Sequence, residues 1–168
     1  GETDGFVYNP YNAVVNAYYY QCLLLMEKMA RLLKKSADAQ QYQSKAQQVY
    51  QSFQTTFRDP NTGLIKDGDS TSHSSLHANM YALAFGLVPA GDQEKVLQFI
   101  KTRRMACSVY GAQFLMDALY EGGNADYALE LLTATTQRSW YNMIRSGSTI
   151  SMETWDIVYK PNLDLNHA

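Results

Sequence analysis

Glycine and proline are scarce in this chain of 168 residues, at ten and four. That scarcity disfavours a turn-rich all-β sandwich or barrel. Cysteine is scarcer still. Cys22 falls on an apolar helical face, where a thiol behaves as a small buried hydrophobe, and Cys107 falls in a short connector. Two such residues do not require a disulfide and leave the redox compartment unread. An excess of either charge is also missing, with 14 basic against 16 acidic residues and a net charge of −2. A nucleic-acid binder needs a basic surplus on one face, so that class is excluded. The longest near-apolar stretch, Tyr81 to Ala90, is far short of the ~20 residues of a membrane span. There is no glycine-rich phosphate loop, no Gly-x-Ser-x-Gly elbow and no Cys-x-x-Cys. The first residues show neither an initiator methionine nor a leader pattern, which reads as a processed chain or a piece of a longer one. The compartment stays unassigned, with a secreted or periplasmic parent slightly favoured.

What the chain does have is core material. Hydrophobic residues make up 46% and charged residues 18%, a balance that argues against disorder and for one domain over residues 1–168. Tyrosine dominates the aromatics, 13 against 6 phenylalanines and 2 tryptophans. Its apolar body and hydroxyl suit helices that meet beside a polar cleft.

The window from Pro10 to Pro60 holds no internal glycine or proline. Within it Val15, Tyr18, Cys22, Leu25, Met29 and Leu32 recur at spacings of three and four, one stripe of an α-helix. Ser36 or Asp38 can cap a second helix with Tyr42, Ala46, Val49, Phe53 and Phe57 on one face. Beyond a turn-rich loop from Asp59 to about Thr71, Leu76, Met80, Leu83 and Leu87 mark a third helix. A fourth is expected over Asp92–Arg103, a fifth over Tyr110–Tyr120 and a sixth from Asn124 to about Thr136. The spacing predicts an all-α fold of six helices in three antiparallel hairpins.

From Ser139 the periodicity stops, and both tryptophans fall in this stretch. Glu153, Trp155, Asp156, Asp164, Asn166 and His167 gather there: carboxylates, an indole, an amide and an imidazole. An aromatic can stack on the apolar face of a sugar while a carboxylate does acid–base work. The same residues also suit a polar surface loop with a tryptophan plugging the core. His73 and His77 stand at i, i+4, so both lie on one face of any helix through them. A zinc site needs a third ligand, and no metal or other cofactor is expected. Helix-start hydrogen bonding beside a cleft is the plainer reading. Asp67-Gly-Asp69 reads as turn chemistry, and Lys101, Arg103 and Arg104 as a solvated helix end.

The run Gly147-Ser-Thr-Ile-Ser-Met-Glu153-Thr-Trp155-Asp, with Lys160-Pro-Asn162 and Asn166-His167-Ala168, resembles the end of the bacterial α-L-rhamnosidase catalytic domain, glycoside hydrolase family 78. His73 to Pro89, Ser108 to Gly123 and Arg138 to Met143 are similar to the same family, so the likeness spans nearly the whole chain. The resemblance implies a partial (α/α)6 toroid, about three of six hairpins, forming the C-terminal half of a catalytic domain. It also implies inverting hydrolysis of terminal α-L-rhamnosides by two carboxylates roughly 6.5–9.5 Å apart. Aligned with the family motif Thr-Thr-x-Trp-Glu-x-Trp, Thr149 takes the first Thr, Glu153 the Glu and Trp155 the final Trp. By that match Glu153 is the general base and Trp155 part of the sugar pocket. His167 and Asn166, with Trp140 and His77, join the sugar-binding surface. Met152 stands where the motif has Trp, and the acidic Asp-Arg-Glu motif of the general acid is absent from this chain. The acid side is therefore expected from the remaining N-terminal part of the same polypeptide. Uncovered apolar helix faces imply self-association of this piece, which alone should be inactive on rhamnosides. Two alternatives remain at this stage: a helical-repeat protein-binding module and another six-hairpin carbohydrate-active enzyme.

Overall fold

The computed structural model describes residues 3–159. Among the described residues seven α-helices run in order: α1 (Ala13–Leu32), α2 (Ser36–Thr56), α3 (Leu76–Ala84), α4 (Gln93–Arg103), α5 (Val109–Glu121), α6 (Ala125–Leu132) and α7 (Trp140–Arg145). Among the described residues, strand-like pairing is confined to two isolated bridges, Asn12 with Gly68 and Arg58 with Ile65.

The odd helices form one layer and the even helices a second. α1, α3 and α5 pack side by side through α3, and each of α2, α4 and α6 lies on the odd helix before it. The even helices make no comparably extensive contact with one another. This two-layer order is what successive antiparallel hairpins produce when they are arranged around a curve. It places the starts of the odd helices at one end. There Ala13 N–H donates to the Asp67 carbonyl at 2.9 Å, beside the start of α3, and Leu76 N–H donates to Asp4 Oδ2 at 2.7 Å.

Capping separates the two layers as sharply as packing does. Asn12, Ser75, Ser108 and Ser139 each accept a hydrogen bond from the backbone N–H three residues on, at the starts of α1, α3, α5 and α7. None of α2, α4 and α6 has a side-chain cap. Each such cap is worth about 1 kcal/mol. The layer that carries them has its entry loops fixed, which is what a binding end requires. Close approach within that layer needs Gly111, where an added Cβ would come within 3.1 Å of Cys107 Cβ and 3.3 Å of Met80 Cε.

Several expectations change. Helix α7 was not foreseen, because a six-residue helix is too short to show a period. The α1 stripe points mostly outward, with Tyr18 the exception, packed against Tyr81, Phe85 and Phe114 in the core. Val15, Leu25, Met29 and Leu32 are exposed, while Ala13, Ala17, Leu23 and Ala30 are buried. Small side chains let α2 approach closely along that face. Cys22 is consequently exposed and Cys107 buried, and no disulfide joins them. The α2 and α3 faces are as expected, with Ala46, Phe53, Phe57, Leu76, Met80, Leu83 and Leu87 all in the core. Helix α2 begins at Ser36 without a side-chain cap. Helix α6 ends at Leu132, four residues before the expected Thr136.

A candidate sugar-binding site at the starts of the odd helices

The segment after α7 is anchored from below. Trp155 is fully buried; its indole N–H donates to the Cys107 carbonyl at 2.6 Å, and its ring meets Trp140 edge-on at 5.0 Å. A buried indole nitrogen without a partner would be costly. Here the partner is the loop entering α5, so the tail is tied to the start of a neighbouring odd helix. Met152 is buried two residues past Ile150, and its N–H points at Met143 Sδ at 3.5 Å.

Asn142 joins these pieces. Its amide donates to the Trp155 carbonyl at 2.9 Å and to Asp156 Oδ2 at 3.0 Å, and its Oδ1 accepts from Arg145 at 2.6 Å. Asp156 also accepts from the Val158 N–H at 3.0 Å and from Gln137 at 3.2 Å. The Val158 N–H above all, then the Asn142 amide, holds its carboxyl below the usual range. Asp156 is thus an ionised brace, unsuited to donating a proton near neutral pH.

Glu153 is half-buried between Met152 and the braced pair Thr154 and Trp155, both of which are buried. Its backbone is therefore fixed on either side, and its carboxyl is carried on a held segment. The residues that precede it line a cavity of about 220 Å³ together with α7: Trp140, Met143, Ile144, Ser148, Thr149, Ile150 and Ser151, with Glu153 itself outside that lining. Trp140 is half-buried and presents ring surface there. Trp155 does not: with no exposed surface it supports the wall from beneath, so direct sugar contact at this position would require it to leave its hydrogen bond. Asn166 and His167 lie outside the described residues.

The second cluster sits at the start of α3. Asp67 is fully buried and is far more than a turn residue. Its carboxylate accepts from Val7 N–H at 2.8 Å and Ser75 N–H at 2.9 Å, and lies 2.6 Å from His73 Nδ1. It thereby joins the loops entering α1 and α3. His73 precedes α3 and His77 lies inside it, so no helical face carries both, and His77 faces Asp4 instead. Arg103 is not merely a solvated helix end, since its Nε reaches Asp4 Oδ2 at 3.6 Å. No group of three or more His, Cys, Asp or Glu among the described residues could hold a metal ion.

Sequence reading singled out Glu153, Trp155, Trp140 and His77; Trp140 begins α7, Trp155 is bonded to the loop entering α5, His77 lies in the first turn of α3, and Glu153 is two residues before Trp155. It missed Asn142 and Asp4. Asn142 stands inside the similar Arg138–Met143 stretch without a motif of its own. Asp4 makes its contact across 72 residues, which no local signal reports.

A model of the bacterial alpha-L-rhamnosidase 6 hairpin glycosidase domain matches residues 2–168. Among curated relatives, an alpha-L-rhamnosidase of Alteromonas sp. (strain LOR) is 27% identical over 162 residues, covering 93% of this chain and 16% of the relative. One from Formosa agariphila is 27% identical over 164 residues, covering 90% and 17%. This chain thus spans about a sixth of their length. Two solved structures share the fold: the alpha-L-rhamnosidase from Dictyoglumus thermophilum, at TM-score 0.73, 22% identity and 83% and 16% coverage, and that from Aspergillus terreus, at 0.72, 20%, 89% and 17%. The all-helical hairpin order described above is that of an α/α toroid, and a repeat-type binding module is set aside. The chain belongs to the family of the bacterial alpha-L-rhamnosidase six-hairpin glycosidase domain.

Proposed function

We propose that this chain forms the base side of an inverting α-L-rhamnosidase site. In this reading Glu153 accepts the proton of the attacking water, and a general acid on the remaining N-terminal part of the polypeptide protonates the leaving oxygen. The observation that carries it is the mounting of Glu153. It stands half-buried between residues locked into the core, on the segment whose preceding residues, Ser148 to Ser151, line a cavity with Trp140. A base must be held in place to act on a single water, and general base assistance is worth ~10²–10⁴-fold. The relatives' printed names supply the sugar: a terminal α-L-rhamnoside.

Trp140 offers the ring on which the sugar's apolar face rests, and Trp155 fixes the segment that carries the base. Asn166 and His167 are assigned to the bound sugar by the family motif. Family chemistry requires no cofactor or metal here. Because this chain lacks the acid, it should not turn over natural rhamnosides by itself.

The test uses the full-length polypeptide that carries these residues, with an aryl α-L-rhamnoside as substrate. Glu153→Gln is expected to lower kcat ~10²–10⁴-fold with a much smaller change in KM. Proton NMR of the first-formed sugar from the unsubstituted enzyme should show the β anomer. Full activity in Glu153→Gln would remove the assignment.

A further inference from the structure

We propose that a cavity at the junction of α1 and α3 is a second pyranose subsite, in which His77 Nε2 accepts a sugar hydroxyl and Phe6 and Tyr8 supply the stacking surface. The proposal rests on the rhamnosidase reading, since it takes the ligand to be a sugar unit of the saccharide substrate. The cavity measures about 260 Å³ and is lined by Phe6, Tyr8, Asn12, Val14, Val15 and His77, with Thr3 and Gly5 at its edge.

An unsatisfied pair behind the cavity wall sets which ring nitrogen of His77 is left to accept from a ligand. His77 Nδ1 and Asp4 Oδ1 are both buried without a hydrogen-bond partner among the described residues, and they face one another at 4.0 Å. The Asp4 side chain is only 8% exposed, and its other oxygen is held by the Leu76 N–H and Arg103. Two buried, unpaired polar atoms are costly, and a small rotation of the ring converts the approach into an Nδ1–H···Oδ1 hydrogen bond. That bond places the imidazole proton on Nδ1. Nε2, on the other side of the ring, then becomes an acceptor.

Nε2 has no protein partner among the described residues and is not among the buried orphan atoms, so it opens on the cavity that His77 lines. Burial lowers the His77 pKa against the opposing pull of Asp4 and Asp67, which keeps the ring neutral and Nε2 able to accept. Phe6 and Tyr8 meet edge to face at 5.0 Å, and Tyr8 is 86% exposed. Phe6 also stands against His77 at 6.4 Å. Aromatic rings beside one acceptor are the chemistry that holds a pyranose by a C–H face and a hydroxyl. Asn12 adds a side-chain amide at the rim, with its Oδ1 already committed to capping α1. Asp4 is the positioning residue and His77 the contacting one.

The test is a long-range proton–nitrogen NMR titration of the imidazoles of this chain with methyl α-L-rhamnopyranoside. Methyl β-D-glucopyranoside is the comparison, and the Trp140 indole N–H is followed in the same samples. The expected result is a saturable shift of His77 Nε2 with the His73 ring unmoved. Asp4→Asn should scramble the His77 tautomer and weaken the sugar response by a factor of roughly ten, the equivalent of one hydrogen bond. Phe6→Leu should weaken it while leaving the tautomer alone. If Trp140 responds to the sugar and His77 does not, the subsite is wrong and the rhamnosidase reading stands. If neither responds, the subsite is again wrong, and the Glu153→Gln hydrolysis assay decides the function separately.

Discussion

The two ends of the helical layer are built on opposite terms. At α1 the large apolar side chains Val15, Leu25, Met29, Leu32 and Leu33 are exposed and alanines fill the buried face. At α7 and the segment behind it, two tryptophans interlock and one asparagine amide satisfies the surrounding backbone. The second region is complete in the side-chain hydrogen bonding of its buried groups, although Tyr141, Ile144, Ile150, Ile157 and Val158 are exposed there too. The first presents an exposed apolar face with little polar bracing beneath it. The catalytic candidate belongs to the hydrogen-bonded region.

Breaking the complete region should have the largest effect. Trp155→Ala removes a fully buried indole, its hydrogen bond to Cys107 and the edge contact with Trp140, and should cost about 3–5 kcal/mol. A fall in thermal midpoint read by circular dichroism checks it, and Trp155→Phe should recover part of the packing but not the bond. Asn142→Leu comes next. It strands the Trp155 carbonyl and should cost about 1–3 kcal/mol in urea unfolding.

The effects of pH are smaller and share one sign. Asp156 and Asp92 have lowered pKa values, so the stability they confer is present above the usual carboxylate range and fades as pH falls through their folded values. For Asp92 the cause is first the Lys95 ammonium and then Arg58. His77 is lowered as well, so the unfolded chain takes up its proton first, and stability rises with pH through the ordinary histidine range near ~6.5. Urea midpoints at a series of pH values should rise from acid to neutral, and His77→Gln should flatten the upper part of that rise.

The smallest effect on folding is expected at the exposed apolar face of α1. Leu25→Gln with Met29→Lys and Leu32→Lys should leave the urea midpoint nearly unchanged, within about 0.5 kcal/mol per site. The same triple change should abolish concentration-dependent self-association in light scattering. Association that survives it would mean a different surface is sticky.

The contrast also explains which parts of the molecule could be read from sequence. Periodicity finds an amphipathic helix but not which neighbour it meets. The stripes of α2 and α3 point inward because partners lie there, whereas the α1 stripe, Tyr18 apart, points outward. Helix α7 escaped because six residues span less than two turns. The Glu153 region was singled out by its likeness to a family motif, and its role remains the proposal made above. The motif could not say that Trp155 lies beneath the surface, because an indole that touches sugar and one that supports a loop look alike in sequence. Asp4 and Asp67 were opaque for another reason: their partners lie on other loops, from Val7 to Leu76, and only the fold unites them.

The central claim is that Glu153, carried on a segment locked by Trp155 and Asn142, is the base that activates water. Its most direct test is chemical rescue of Glu153→Ala in the full-length polypeptide on an aryl α-L-rhamnoside. Removing the base should lower turnover ~10²–10⁴-fold. Azide, which needs no deprotonation to attack, should restore it and yield the rhamnosyl azide of inverted configuration. Undiminished hydrolysis without azide, or a rescued product of retained configuration, would contradict the account.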